Sequence, residues 1–267
     1  MIRLCLIGNS HLACMKLGWD AIRDRNVDVA PTWFAAGGNF ELKAESNCLV
    51  PITNRVKNSF AMTAGGETVI DPRRYDVFVL CGLLLSIRRA VLMALTHKPH
   101  SLESMEAEHL VSDALFKIAL MSAFEQTPAI VFARSLRGLT DRKIILFPVP
   151  MPSERIANRR KPFAPFQDHG AAEGLATLVR DAVAALAESA TVDVVWQPDA
   201  TIIKSMFTLH EFSEGSVRLL NDRQHSENDF AHMNAKFGAL AMQHIIGRLG
   251  LTEATTRTSN PETACSH

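Results

Sequence analysis

The sequence predicts an α/β protein, a three-layer α/β/α sandwich with helices covering both faces of a mostly parallel sheet. Three observations point there. Short apolar runs ending in glycine or polar turns alternate with longer stretches of helical periodicity, the pattern of parallel strands buried on both faces. The clearest run, Tyr75-Asp76-Val77-Phe78-Val79-Leu80, is β-branched and aromatic and stops at Gly82. A chain of 267 residues, 47% apolar and 21% charged, also holds enough apolar material for one continuous core.

Taken in order, Arg3 to Ile7 is the first strand, followed by a helix over His11 to Arg23. Val29 to Ala35, running into Gly37-Gly38, is the second strand, and Asp76 to Cys81 the third. Ser86 to Phe124 reads as a mostly helical insertion, with Met105, His109, Ala114, Leu115, Ile118 and Met121 near helical spacing within Glu103 to Phe124. Ala129 to Ala133 is expected as the fourth strand, and Lys143 to Val149 as a further apolar segment that enters a proline-rich loop at Pro148 to Pro152. An Ala- and Leu-rich helix from Ala171 to Ser189 precedes a closing strand, Val192 to Trp196, and a last helix begins near Asn234. The whole reads as one domain over residues 1–251 with a flavodoxin-like central sheet. Residues 252–267, polar and without periodicity, read as a flexible tail.

Charge and motif content exclude several function classes. The 28 Lys and Arg balance the 28 Asp and Glu, so no net field gathers nucleic acid or an anionic membrane surface. The apolar opening is too short for a signal-peptide core, which makes a cytoplasmic location the expectation. No apolar run approaches the roughly 20 residues of a membrane span. Five cysteines (Cys5, Cys14, Cys48, Cys81 and Cys265), with no C-x-x-C pair, suggest reduced thiols and neither a disulfide framework nor a zinc site. The histidines show no H-E-x-x-H spacing, so no metal and no cofactor is expected. The first strand-to-helix turn has neither glycine-rich phosphate motif, which sets nucleotide binding aside. The cluster Arg155, Arg159 and Arg160 reads as a solvated loop face.

Two blocks carry chemistry. Gly8-Asn9-Ser10-His11 follows the first strand, placing Ser10 at a strand's carboxyl end, where open α/β sheets place their ligands. Taken alone, a serine there is more often the N-cap of the next helix. Near the other end stands Asp229-Phe230-Ala231-His232-Met233-Asn234, just before an apolar-periodic helix. The D-x-x-H spacing lets one short turn hold a carboxylate against one imidazole nitrogen while the other faces out, which orients a general base. Asn234 is a natural N-cap that would fix that turn. His11 reads as a pocket-lining or surface histidine, and Cys14, one turn after Ser10, as helix packing rather than a nucleophile.

Together the two blocks resemble the SGNH family, also called the GDSL-like hydrolases, in residue type, order and position. That resemblance implies Ser10 as nucleophile, His232 as general base and Asp229 as its orienting acid. It further implies a glycine oxyanion donor at Gly37 or Gly38, with Gly37 preferred, and an asparagine donor after the third strand. The asparagine position falls at Leu84, which has no side-chain donor, and Asn39 is the candidate substitute. The function expected is hydrolysis of a small acyl ester, such as an acetyl ester of a small molecule or carbohydrate, through an acyl-serine. Alternatives are O-acyl transfer by the same triad and non-catalytic carbohydrate or ligand binding.

Overall fold

Alternation along each strand builds the core from both faces of one sheet. In β1 (Ile2–Gly8), Cys5 and Ile7 face one layer and Leu4 and Leu6 the other, and all four are fully buried. The computed structural model describes residues 1–102, 105–218 and 223–250. After β1 come α1 (Leu12–Ile22), β2 (Val29–Ala35), the hairpin of β3 (Leu42–Glu45) and β4 (Cys48–Pro51), α2 (Asn54–Thr63), and β5 (Val77–Gly82). Then follow α3 (Ile87–Ala94), β6 (His97–Pro99), β7 (His109–Val111), α4 (Asp113–Glu125), α5 (Pro128–Arg137) and β8 (Lys143–Pro148). The chain continues through α6 (Ile156–Arg159), α7 (His169–Ser189), β9 (Asp193–Val194), the short pair β10 (Ile202–Ile203) and β11 (Phe207–Thr208), and α8 (Ala235–Arg248).

The central sheet has the order β2-β1-β5-β8-β9 with every neighbouring pair parallel. Renumbered within the sheet this is 2-1-3-4-5, the flavodoxin order. Helices α2, α3, α4, α5 and α7 bury their apolar residues with Phe34, Phe78, Leu80 and Leu146 on one face of the sheet; α1 and α8 pack with Leu6, Val79 and Phe147 on the other. The three-layer sandwich expected from the sequence is the architecture observed. The reversal of strand order beside β1 places the ends of β1, β2 and β5 around one crevice.

Two expectations fail. Ala129 to Ala133 is helical, not a strand. Thr127 and Pro128 open α5 with proline in its first turn, and Ala129, Ile130, Phe132, Ala133 and Leu136 bury one helical face. The fourth strand is the segment after it, β8. The insertion is also less helical than its spacing suggested. Ser112, whose hydroxyl accepts the Leu115 N–H at 3.2 Å, starts α4 ten residues later than Glu103, and β7 in the interval pairs with β6 ahead of it. The tail expected over 252–267 lies outside the described residues. Among the described residues no single helix is long and apolar enough to cross a membrane, although the bent pair Asp113–Glu125 and Pro128–Arg137 has the length and composition together.

One contact positions both candidate blocks. Ser10 precedes α1 and His232 precedes α8, and the two helices cross backbone to backbone through glycines. A Cβ on Gly238 would stand 1.7 Å from the Cys14 carbonyl oxygen, and one on Gly18 would stand 2.1 Å from the Ala239 nitrogen. Neither atom can yield without moving a helix. We expect Gly238→Ala to destabilise the fold by about 3 kcal/mol, at the upper end of ordinary overpacking. Urea unfolding checks this, and an unchanged midpoint would show that the crossing is looser than the geometry requires.

Candidate active site

The first helix begins without a side-chain cap. Its opening N–H groups go to backbone, Leu12 to the Asn9 carbonyl at 3.0 Å and Ala13 to the Ser10 carbonyl at 3.1 Å. The Ser10 hydroxyl is therefore not spent on capping. It lies 2.8 Å from His232 Nε2, across 222 residues of sequence. His232 Nδ1 lies 2.8 Å from Asp229 Oδ2, and Asp229 Oδ1 accepts the N–H groups of Ala231 at 2.9 Å and His232 at 3.1 Å. The structure thus brings Ser10, His232 and Asp229 together in one line, with the His232 and Asp229 side chains each 20% exposed and Ser10 part-buried.

The protonation states follow from the partners. Burial works to raise the Asp229 carboxyl, but the hydrogen bonds from His232 and the two backbone N–H groups outweigh it and hold the group well below the usual carboxylate range. An ionised carboxylate accepts only, so His232 carries its proton on Nδ1 and leaves the Nε2 lone pair facing the Ser10 O–H. Linkage gives the sign: this network stabilises the fold above the unfolded carboxylate value, near pH 4, and the contribution is lost as pH falls through the depressed folded value.

The loop that carries the pair is pinned from several sides. Asn234 caps α8 by accepting the Phe237 N–H at 3.1 Å, as expected, and its amide also donates to the carbonyls of Glu211 at 2.7 Å and Glu214 at 2.9 Å. Phe230, buried between Asp229 and His232 in sequence, accepts the Ser153 N–H at 2.7 Å. That ties the loop to the proline-rich segment after β8. The segment is itself fixed by a buried network in which Gln197 Oε1 accepts the Met151 N–H at 2.6 Å and Gln197 Nε2 donates to Thr201 and Thr208.

Across the crevice, Ala36 N–H donates to the Gly8 carbonyl at 3.2 Å, which sets Gly37 directly beside the nucleophile loop. No atom lies within 4 Å of where a Gly37 side chain would begin, and Gly38 adopts φ of +71°. Arg55, on α2, holds this turn by donating to the carbonyls of Gly37 at 2.8 Å and Asn39 at 3.3 Å. No sequence signal marked Arg55. Asn39 is exposed, and among the described residues its side chain makes no hydrogen bond to Ser10, His232 or Asp229. Asn9, buried, accepts the His11 N–H on its Oδ1 at 3.3 Å and so braces the turn that presents Ser10.

The third side of the crevice is strained. Gly82, Leu83 and Leu84 all have positive φ, at 74°, 49° and 65°, and Leu85 N–H closes the turn onto the Gly82 carbonyl at 3.0 Å. Two consecutive left-handed leucines are costly, since this turn favours Asn and Gly. Leu83 is buried and Leu84 is 41% exposed. A Cβ at Gly82 would meet Asn9 Oδ1 at 2.9 Å, so the turn packs directly on the Ser10 loop.

Two histidines outside the predicted triad join it. His11 and His225 both stack on the His232 ring, with centroids 5.0 and 4.0 Å away. Burial, reinforced by His232, pushes the His11 imidazole down to about 3 and keeps it neutral. His225, Asp229 and His232 offer ligand atoms within 4.8 Å of one another. The two rings are only 6° from parallel, so an ion shared by both would sit off the plane of at least one imidazole, away from its lone pair. As arranged, the trio suits hydrogen bonding better than metal ligation. Cys14 is buried in α1, where desolvation pushes its thiol up to about 12, consistent with packing.

A groove of about 610 Å³ opens beside Asp229, walled by Leu92, Val149, Pro150, Ile156, Phe163 and Phe230, with the exposed Arg88 and Arg160 also lining it. A second, more polar recess of about 450 Å³ lies past His225 and is lined by Arg155, His210, Glu214 and Glu227.

No family model matches the chain, and no curated protein matches it in sequence. Among solved structures it is similar to the periplasmic domain of a lipopolysaccharide acetyltransferase from Salmonella ser. Paratyphi A, at 13% identity and a TM-score of 0.44, covering 94% of this chain and 84% of that one. It is also similar to a protein from Lactobacillus plantarum, at 11% identity and a TM-score of 0.39, covering 93% and 96%. At that distance neither neighbour speaks for the chemistry of this chain, which rests on its own residues.

Proposed function

We propose that the chain is a serine-dependent acyl-ester hydrolase of the SGNH type, acting through an acyl-Ser10 intermediate. The observation that carries this reading is the continuous line Ser10 Oγ, His232 Nε2, His232 Nδ1, Asp229 Oδ2, with both hydrogen bonds at 2.8 Å. His232 takes the Ser10 proton as Oγ attacks the ester carbonyl, and Asp229 stabilises the imidazolium that forms. The alcohol leaves with that proton. Water then repeats the sequence in reverse, giving its proton to His232 and releasing the acid and free Ser10. The backbone N–H groups of Ser10 and Gly37 are the oxyanion donors in this reading, and the open space at Gly37 lets a carbonyl approach its backbone. The groove walled by Val149, Ile156 and Phe163 takes the apolar part of the ester.

A fluorophosphonate probe tests the reading. We expect stoichiometric labelling, mapped by mass spectrometry to Ser10, together with acid release from short-chain aryl esters. Absence of both from folded protein sinks the proposal.

A further inference from the structure

The triad does not use every group that touches His232. His225 lies flat against one face of the His232 ring, with centroids 4.0 Å apart and planes 6° apart. His11 also stacks on that ring, at 5.0 Å and 20°. More telling is where the His225 nitrogen goes: Nδ1 stands 3.0 Å from Asp229 Oδ2, the same oxygen that takes the His232 Nδ1–H at 2.8 Å. The motif is therefore H-x-x-x-D-x-x-H, with two imidazoles served by one carboxylate oxygen.

We infer that His225 is a positioning residue that shares Asp229 Oδ2 with His232, fixes the plane of that ring, and sets how much of the carboxylate's charge His232 receives. The inference rests on the reading of His232 as general base. Three observations carry it. The loop bearing His225 is anchored, since its N–H donates to the Ser216 carbonyl at 2.8 Å. Asp229, ionised, can only accept, so a hydrogen bond across the 3.0 Å to His225 requires the proton on its Nδ1. Among the described residues His225 Nε2 is then a buried nitrogen with no hydrogen-bond partner, and protonating it would press a second cation face to face with a charged His232. Burial and the neighbouring His232 ring hold His225 below the ordinary histidine value in keeping with this.

Among the described residues, the other charged and titratable groups facing the pair are few. Neutral His11 stacks on His232, Arg218 stands near enough to His225 to oppose its protonation, and Arg155, His210, Glu214 and Glu227 line the recess with it. Among the described residues Asp229 is the carboxylate paired with both rings, hydrogen-bonded to His232 and 3.0 Å from His225 Nδ1.

His225→Phe keeps a flat ring and deletes the N–H. The whole charge of Asp229 Oδ2 then falls to His232, its imidazolium is favoured, and the acid limb of kcat/KM on an aryl ester should move to higher pH by about half to one unit. With one tether of the carboxylate gone, kcat should fall about tenfold. His225→Asn places an amide donor near the position of Nδ1 and should return the limb toward its original pH. A limb that stays in place in folded His225→Phe, or an Asn variant that behaves like Phe, overturns the inference. A readout without catalysis separates it from the ester reading: in full-length protein with 15N-labelled histidine, both His225 and His232 should show the proton on Nδ1. A proton on Nε2 of His225 overturns the shared carboxylate whatever the activity. Both protons on Nδ1 in a chain that cleaves no ester would sink the hydrolase and leave the shared carboxylate standing.

Discussion

Ser10→Ala is expected to lower ester turnover by about a millionfold while leaving the melting temperature nearly unchanged. The size follows from what the hydroxyl does. In the proposed mechanism it is the attacking atom and the one group through which His232 and Asp229 reach the substrate, and serine triads act as a unit whose members are far from additive. Stability should hardly respond, because Ser10 Oγ caps no helix and bonds a partly open imidazole that water can serve instead. Steady-state rates with an aryl ester and a thermal melt check both halves. The sharper comparison is the double variant: Ser10→Ala with His232→Ala should lose no more than either change alone. Losses that multiply would mean that the two residues do not work on one reaction step.

Leu84→Asn is expected to do the opposite and raise both activity and stability. Leu84 holds φ of +65° next to Leu83 at +49°, a conformation that Asn tolerates better than a branched aliphatic side chain. The side chain is 41% exposed, so little burial is given up. Relief of strain should stabilise the chain by about 0.5–1 kcal/mol. The same substitution sets an amide donor on the turn that packs against the Ser10 loop, where the family resemblance expects an asparagine. One oxyanion donor is worth about 10²- to 10³-fold in kcat when removed from a working site. A gain of about 10²-fold is therefore expected if the turn faces the developing oxyanion. Loss of activity with a raised melting point would identify Leu84 as a wall of the substrate crevice.

Residues whose positions are set locally were legible in the sequence. Ser10 was placed by the strand before it, Asp229 and His232 by three-residue spacing, and Asn234 by its place ahead of an apolar-periodic helix. Each of these needs only a few neighbouring residues to define it. The helix Pro128–Arg137 was misread because a five-residue apolar window is equally compatible with a strand. Its helical face shows only when Leu136 is included. His225 was missed for a different reason. Its partner oxygen is four residues away, but the flat contact with His232 depends on a loop folding back, anchored at Ser216. Arg55 reaches the Gly37 turn from a different helix, and no spacing could announce it.

The glycine crossing of α1 and α8 makes the Ser10–His232 distance a property of two helices rather than of two loops. The 2.8 Å between Ser10 and His232 is not held by either loop alone; it is inherited from how closely two helix backbones lie, because each residue sits just ahead of its helix. A side chain at Gly18 or Gly238 would part those backbones, so the same change that lowers stability should also lengthen the Ser10–His232 contact.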